Sequence, residues 1–298
     1  MPETTDHPKD LIYAQKRIIP ISQGNTVFRI RQISDTHQDA EFFRADLLRE
    51  FIKEQSRDKN SVWIHTGDLP DADRPSTRMM KRLMYADRTE AFEQEDKKNI
   101  AWLERSIIPA YQKITESCLG ILDGDHYLVF ANGTTSGQYI SKRLRVPYLG
   151  ERSAFVNLSF MSQSMTGGLQ YVIHARHGKG SAPTGGGDMN ALVRQEVGYQ
   201  ADLHLGGHSH KENCHPVRVD YVNSAGAIRS KIAWYMRGGS FLDGFPQSPK
   251  KTYAYRKEYS PLPCGWGEVE LTIGRIYHGN GKSRPYGITR SKASIIAA

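Results

Sequence analysis

Residues 26–37, TVFRIRQISDTH, alternate apolar and polar side chains up to Ser34 and then present Asp35 and His37. Period-two alternation marks a strand with one face in a core, so the aspartate and the histidine fall just beyond a strand's end. Glu41 to Gln55 reads as an amphipathic helix, and a second strand-like run, Ser61 to Thr66, leads straight into Gly67 and Asp68. The simplest reading is a strand–helix–strand unit with both polar motifs on one rim of a sheet.

The pattern recurs along the chain. A short strand, Cys118 to Leu122, precedes Asp123, Gly124, Asp125 and His126. Leu169 to Arg176 leads into His177 and Gly178, and Ala201 to Leu205 leads into Gly206, Gly207, His208, Ser209 and His210. Helices are expected at Ser136 to Leu144 and at Asp188 to Tyr199, the latter with Asp188 as N-cap. From about Thr77 to Glu116 the chain is rich in helix formers and has few breakers besides Pro109, which predicts one or two long helices. The C-terminal part, including Lys231 to Met236 and Gly267 to Ile273, reads as strand-rich, and the tail after about Lys282 is expected to be mobile.

At 298 residues, 38% hydrophobic and 24% charged, the chain has the balance of a soluble globular protein able to bury a large core. It contains no apolar run of membrane-spanning length, and its first residues lack the basic and apolar regions of a signal peptide, so the expected compartment is the cytoplasm, with no membrane partner. Cys118, Cys214 and Cys264 are far apart and read as reduced thiols. The net charge of +8 is concentrated late: from Ala227 onward Lys and Arg outnumber Asp and Glu by 12 to 4. Such a surface is a candidate contact for nucleic acid as well as an ordinary solvated face.

Singly, an Asp-x-His or Gly-Asp pair at a strand end is a cap or a turn more often than a ligand. In this order, however, Asp35-x-His37, Gly67-Asp68, Gly124-Asp125-His126, His177-Gly178 and Gly207-His208-x-His210 resemble the five-block signature of the calcineurin-like metallophosphoesterases, over roughly Ile30 to His210. The resemblance implies an α/β fold, a four-layer α/β/β/α sandwich of two mixed sheets with metals at the strand ends. The expected organisation is a single domain with a helical insertion at about residues 73–117.

The implied chemistry also follows from residue types. A phosphate ester is anionic and repels hydroxide unless positive charge is concentrated beside it. Two divalent ions about 3.5–4 Å apart supply that charge and clamp the attacking and leaving oxygens. A mixed imidazole and carboxylate shell suits Mn, Fe, Zn, Co or Ni better than Mg or Ca. By resemblance, Asp35, His37 and His210 bind the first ion, Asp68 bridges, and Asp125, His177 and His208 bind the second. His174 is the alternative to His177. His126 is implied to sit beside the scissile phosphate, and a hydroxide between the ions to be the nucleophile.

The third block usually reads Gly-Asn-His; Asp125 replaces a neutral carbonyl ligand by a carboxylate. Arg176 and Lys179 flank the implied site and are candidate substrate ligands. Asp71 and Asp73 are expected to cap their loop, with support of the metal ligands as the alternative, while His65 and His204 read as packed core residues. The expected activity is hydrolysis of phosphomonoesters or phosphodiesters. The alternatives are a nuclease or nucleic-acid end-processing enzyme and a catalytically weak metal-binding scaffold.

Overall fold

The computed structural model describes residues 13–21, 25–72, 90–161, 168–180, 182, 184–223, 225–246, 262–277 and 283–297. Its strands are β1 (Tyr13–Pro20), β2 (Thr26–Ile33), β3 (Ser61–His65), β4 (Cys118–Ile121), β5 (Ser153–Met161), β6 (Leu169–Arg176), β7 (Leu203–Gly206), β8 (Glu212–Val222), β9 (Ile228–Gly238), β10 (Gly265–Tyr277) and β11 (Ser283–Ala297). The helices are α1 (Ala45–Arg57), α2 (Glu90–Trp102), α3 (Ile108–Tyr111), α4 (Ser136–Leu144) and α5 (Gly185–Glu196). A π-turn at Leu103–Ile107 joins α2 to α3, and a 3-10 stretch at Gln112–Ser117 runs from α3 into β4.

Five strands form one mixed sheet in the order β11-β10-β2-β3-β4, and six form a second in the order β1-β5-β6-β7-β9-β8. The alternation in β2 explains how they stack. Phe28 and Ile30 enter a buried cluster shared with Val156, Leu158 and Ile173 of the second sheet, while Arg29 and Arg31 face the other way. There Arg31 pairs with Asp58 after α1 at 3.1 Å and with Glu268 of β10 at 2.8 Å. Ile33, Trp63 and Trp266 pack under α1 through Leu47, Leu48 and Phe51, and Met189 and Leu192 of α5 cover Ala233 and Tyr235 of β9. Three apolar interfaces therefore separate four layers, helices outside and sheets within. Each fully buried Leu or Phe side chain contributes about 1.5–3 kcal/mol by leaving water, so truncating Phe51 to Ala is the single change that most directly loosens α1.

What matters for the site is that β2, β3 and β4 run parallel in one sheet and β6 and β7 run parallel in the other. Their carboxyl ends meet at one edge of the sandwich. Gln32 ties the two sheets there, donating to Thr66 Oγ1 at 2.9 Å and to the Gly206 carbonyl, at the end of β7, at 2.7 Å.

Two expectations change. Residues 283–297, expected as a mobile tail, form β11, an edge strand antiparallel to β10, because β10 offers it a full row of backbone partners. Helix α5 begins at Gly185 with Thr184 as N-cap, its Oγ1 accepting from Gly187 N at 3.2 Å, rather than at Asp188. The glycines concealed that start, since they are poor helix formers. Of the expected helical insertion, residues 73–89 lie outside the described residues, whereas 90–117 are helical almost throughout. The three cysteines are free.

Candidate metal centre

Each polar block sits where the strand pattern placed it, just beyond β2, β3, β4, β6 and β7. Backbone hydrogen bonds lace the blocks together: Asp35 N donates to Gly67 O (3.0 Å), His37 N to Asp68 O (3.1 Å), Asp68 N to Asp123 O (2.9 Å) and Gly207 N to His177 O (2.9 Å). Two motif glycines are required by this crowding. A Cβ on Gly67, whose φ is +112°, would lie 2.6 Å from His177 Nδ1, and one on Gly124 would collide with the Asp68 carboxylate.

The side chains fall into two groups whose ligand atoms lie within 4.8 Å of one another: Asp35, His37 and His210, and Asp68, His177 and His208. Asp68 stands between them. Its Oδ2 is 3.8 Å from His37 Nε2 in the first group and 3.1 Å from His177 Nε2 in the second. Its Oδ1 accepts the backbone N–H groups of Asp125 (2.6 Å) and His126 (2.8 Å). Asp125 joins the second group through Oδ2, 3.2 Å from His208 Nδ1 and 3.8 Å from His177 Nε2. Its Oδ1 turns outward to Arg152 Nη2 at 2.6 Å.

A pair of divalent ions fits this donor set. His177 Nδ1 donates to the Thr66 carbonyl at 2.9 Å and His37 Nδ1 donates to Asp71 at 2.8 Å, so both rings are oriented from behind and present Nε2 to the site. Both Nε2 atoms are buried and lack an aligned hydrogen bond, although they converge on Asp68. Among the described residues, six other than glycine have positive φ, and five of them are Asp35, His37, Asp68, His208 and His210. Such backbones cost about 1–3 kcal/mol each and persist at sites where another gain offsets them.

The electrostatics agree. Burial works to lower the His177 pKa, yet the hydrogen-bonding and Coulombic pull of Asp68, with Asp35 behind it, raises it to about 9. Burial works to raise the Asp68 pKa, and His177 overrides it, holding the carboxylate well below its usual range. The site thus has a surplus of negative charge that a cation satisfies.

A family model described as calcineurin-like phosphoesterase matches residues 28–212. The chain belongs to this family. No curated protein sequence matches it. Calcineurin-like phosphoesterases bind divalent metal ions, and this chain's fold is the family's. Solved structures similar to it include a predicted phosphoesterase from Streptococcus pneumoniae, at 13% identity and a TM-score of 0.34, covering 90% of this chain and 98% of that one. Another is Vps29 from Entamoeba histolytica, at 10% identity and a TM-score of 0.39, covering 91% and 99%. GAP50 of Plasmodium is similar at 10% identity and 0.39, covering 89% of each chain.

Within this calcineurin-like phosphoesterase, the geometry separates residues that the sequence left open. His177, not His174, reaches the centre. His174 Nδ1 instead meets Glu196 of α5, behind the sheet. Arg176 is also tied there, to the Gln195 carbonyl at 3.1 Å and Glu196 Oε1 at 3.2 Å, and is not turned to substrate. Side chains two apart on β6 share a face, and His174 and Arg176 share the one that faces α5. Lys179 has an exposed side chain, and its carbonyl accepts from Gln195 Nε2 at 3.0 Å.

Asp71 does more than cap its loop. Its Oδ1 lies 2.8 Å from His37 Nδ1 and 3.6 Å from His126 Nδ1. Asp73 is outside the described residues. Of the two aspartates around Gly124, Asp123 faces away, to Gly137 N at 3.0 Å and Tyr148 OH at 2.6 Å. His65 is buried as expected, its Nδ1 accepting from Gly67 N at 3.2 Å, and burial pushes its pKa down to about 3.

Two supporting arginines were not read from the sequence. Arg237, at the end of β9, donates to the Gly207 carbonyl and lies 2.8 Å from Asp188, whose carboxylate accepts from Ser209 Oγ at 3.0 Å. The loop carrying His208 and His210 is thereby held from below. A charge ending an apolar run before two glycines was the signal available for Arg237. Arg152 had none, since its partner Asp125 belongs to a different block.

Proposed function

We propose that this calcineurin-like phosphoesterase hydrolyses phosphomonoesters or phosphodiesters at a dinuclear transition-metal centre. Asp35, His37 and His210 hold one ion, Asp125, His177 and His208 hold the other, and Asp68 serves both. The observation that carries this reading is the coincidence of five left-handed backbones with buried, unaligned imidazole nitrogens around one carboxylate. When bound, ions of the Mn, Fe, Zn, Co or Ni type supply positive charge for the phosphoryl group and make water nucleophilic at neutral pH.

The chain's own residues position and protonate. His126 is half-buried, as His208 and His210 are, and its ring lies 4.9 Å from that of His37. It is placed to donate a proton to the leaving oxygen or a hydrogen bond to the phosphoryl charge. Asp71 orients His37 by a hydrogen bond and lies 3.6 Å from His126 Nδ1. The complete donor set argues against a scaffold without turnover.

The test is hydrolysis of p-nitrophenyl phosphate and its bis ester by chelator-stripped protein after each metal is restored. Turnover of at least one ester, abolished again by chelator, is expected; no turnover of either with any of the five metals overturns the reading. A nucleic-acid substrate is a narrower form of it, favoured by exposed Arg290 and Lys292 on β11. Salt-dependent DNA binding is the measurement for that form.

A further inference from the structure

Asp125 occupies the position where the family usually has a neutral amide. A carboxylate there adds a negative charge to a group that already contains Asp68, and a more negative shell binds a dication tighter while dulling its charge. Asp125 splits its two oxygens between the centre and Arg152. Oδ2 faces His208 and His177, whereas Oδ1 lies 2.6 Å from Arg152 Nη2.

Arg152 is not a passing surface neighbour. Its own carbonyl accepts from His177 N at 3.0 Å, the preceding Glu151 carbonyl accepts from Gly124 N at 3.0 Å, and Gly150 O accepts from Asp123 N at 3.1 Å. The backbone of residues 150–152 is thus stapled both to the block carrying Asp125 and to the strand end carrying His177. The Arg152 side chain is two-thirds covered, and its Nη1 is buried without a partner.

We propose that Arg152 is a charge-balancing, positioning partner of Asp125, the two acting toward the second ion as one oxygen ligand of zero net charge. The inference rests on the dinuclear reading and deepens it. It makes residues 125 and 152 interdependent: either one changed alone leaves an uncompensated charge within a few ångströms of the ion, and both changed together restore the balance. Between partly buried charges at such distances, the effect on affinity is on the order of 10- to 100-fold.

The experiment is calorimetric titration of Mn into the chelator-stripped full chain, for the wild type, Arg152→Gln, Asp125→Asn and the double variant. The wild type should take up two ions. Arg152→Gln should bind the weaker ion about tenfold tighter or more, a gain that damage to the fold does not produce. Asp125→Asn should weaken it by about tenfold or more, because a bare guanidinium then faces the ion. The double variant should return to within about threefold of the wild type, because the two charge changes cancel at the ion. An unchanged affinity in Arg152→Gln, a double variant that stays with either single variant, or loss of both ions in Arg152→Gln overturns the proposal while leaving the dinuclear reading intact. A wild type that binds fewer than two ions overturns both.

Discussion

Asp68, His177 and His208 at the metal centre, and His174, Glu196 and His204 behind β6 and β7, are both sets of two imidazoles and a carboxylate with ligand atoms within 4.8 Å. They differ in how those atoms are satisfied. In the second set, Glu196 Oε2 meets both Nδ1 atoms, that of His204 at 2.6 Å, and Arg176 occupies Oε1. Tyr199 stacks on His174 with centroids 4.2 Å apart, and Tyr235 on His204 at 4.4 Å. All three residues lie on regular strands or a regular helix. At the candidate metal centre His177 is braced through Nδ1 by the Thr66 carbonyl while its Nε2 faces Asp68 without an aligned hydrogen bond, and Asp68 and His208 have left-handed backbones. Both sets bury an imidazole Nε2 without a partner, on His174 and on His177, so what distinguishes them is that the converging atoms of the second set are already hydrogen-bonded to one another, and that strained backbone surrounds the first.

The largest effect expected is that of Asp68→Ala. Removing the carboxylate shared by the two groups should abolish binding of both ions and with it hydrolysis, read by metal content and turnover. Full occupancy in this variant would place Asp68 in the structural class instead. His126→Ala should keep its metal and lose hydrolysis by about two orders of magnitude or more, the usual scale for removing a proton donor or a transition-state hydrogen bond. Loss of metal would make His126 a ligand.

The second cluster should respond in stability alone. Glu196→Gln breaks a buried charge-assisted network and should cost about 2–3 kcal/mol with metal content unchanged. Burial works to raise the Glu196 pKa, but its hydrogen bonds to His174 and His204 lower it from 4.5 to about 2. A carboxylate depressed in the folded state stabilises fully above its unfolded pKa and progressively less as pH falls. The difference in Tm between wild type and Glu196→Gln should therefore be complete near pH 7 and shrink between about pH 5 and 2. A difference independent of pH, or lost metal, would blur the distinction between the clusters.

The gathering of the five polar blocks was legible in the sequence because each block is local: a strand-like run ends and polar residues follow at the turn, in most blocks beside a glycine. The structural cluster was not: His177 at the strand end beside Gly178 was the better candidate, but nothing local to His174 shows what it meets. Glu196 across in α5 makes the difference, and only packing brings it near. The pairing of Arg176 with Glu196, twenty positions on, was hidden for the same reason. Asp71 looked like a loop cap because its hydrogen-bond partner, His37, comes from another strand end. β11 was missed because a basic, polar edge strand shows no apolar alternation and takes its order from β10.

The most direct test of this account is the metal content of the wild-type chain, measured by elemental analysis after equilibration with Mn and removal of free metal. Two ions per chain are predicted, both lost in Asp68→Ala and both kept in Glu196→Gln. A wild-type chain that retains no ion, or one whose ions depend on Glu196 and not on Asp68, would contradict it.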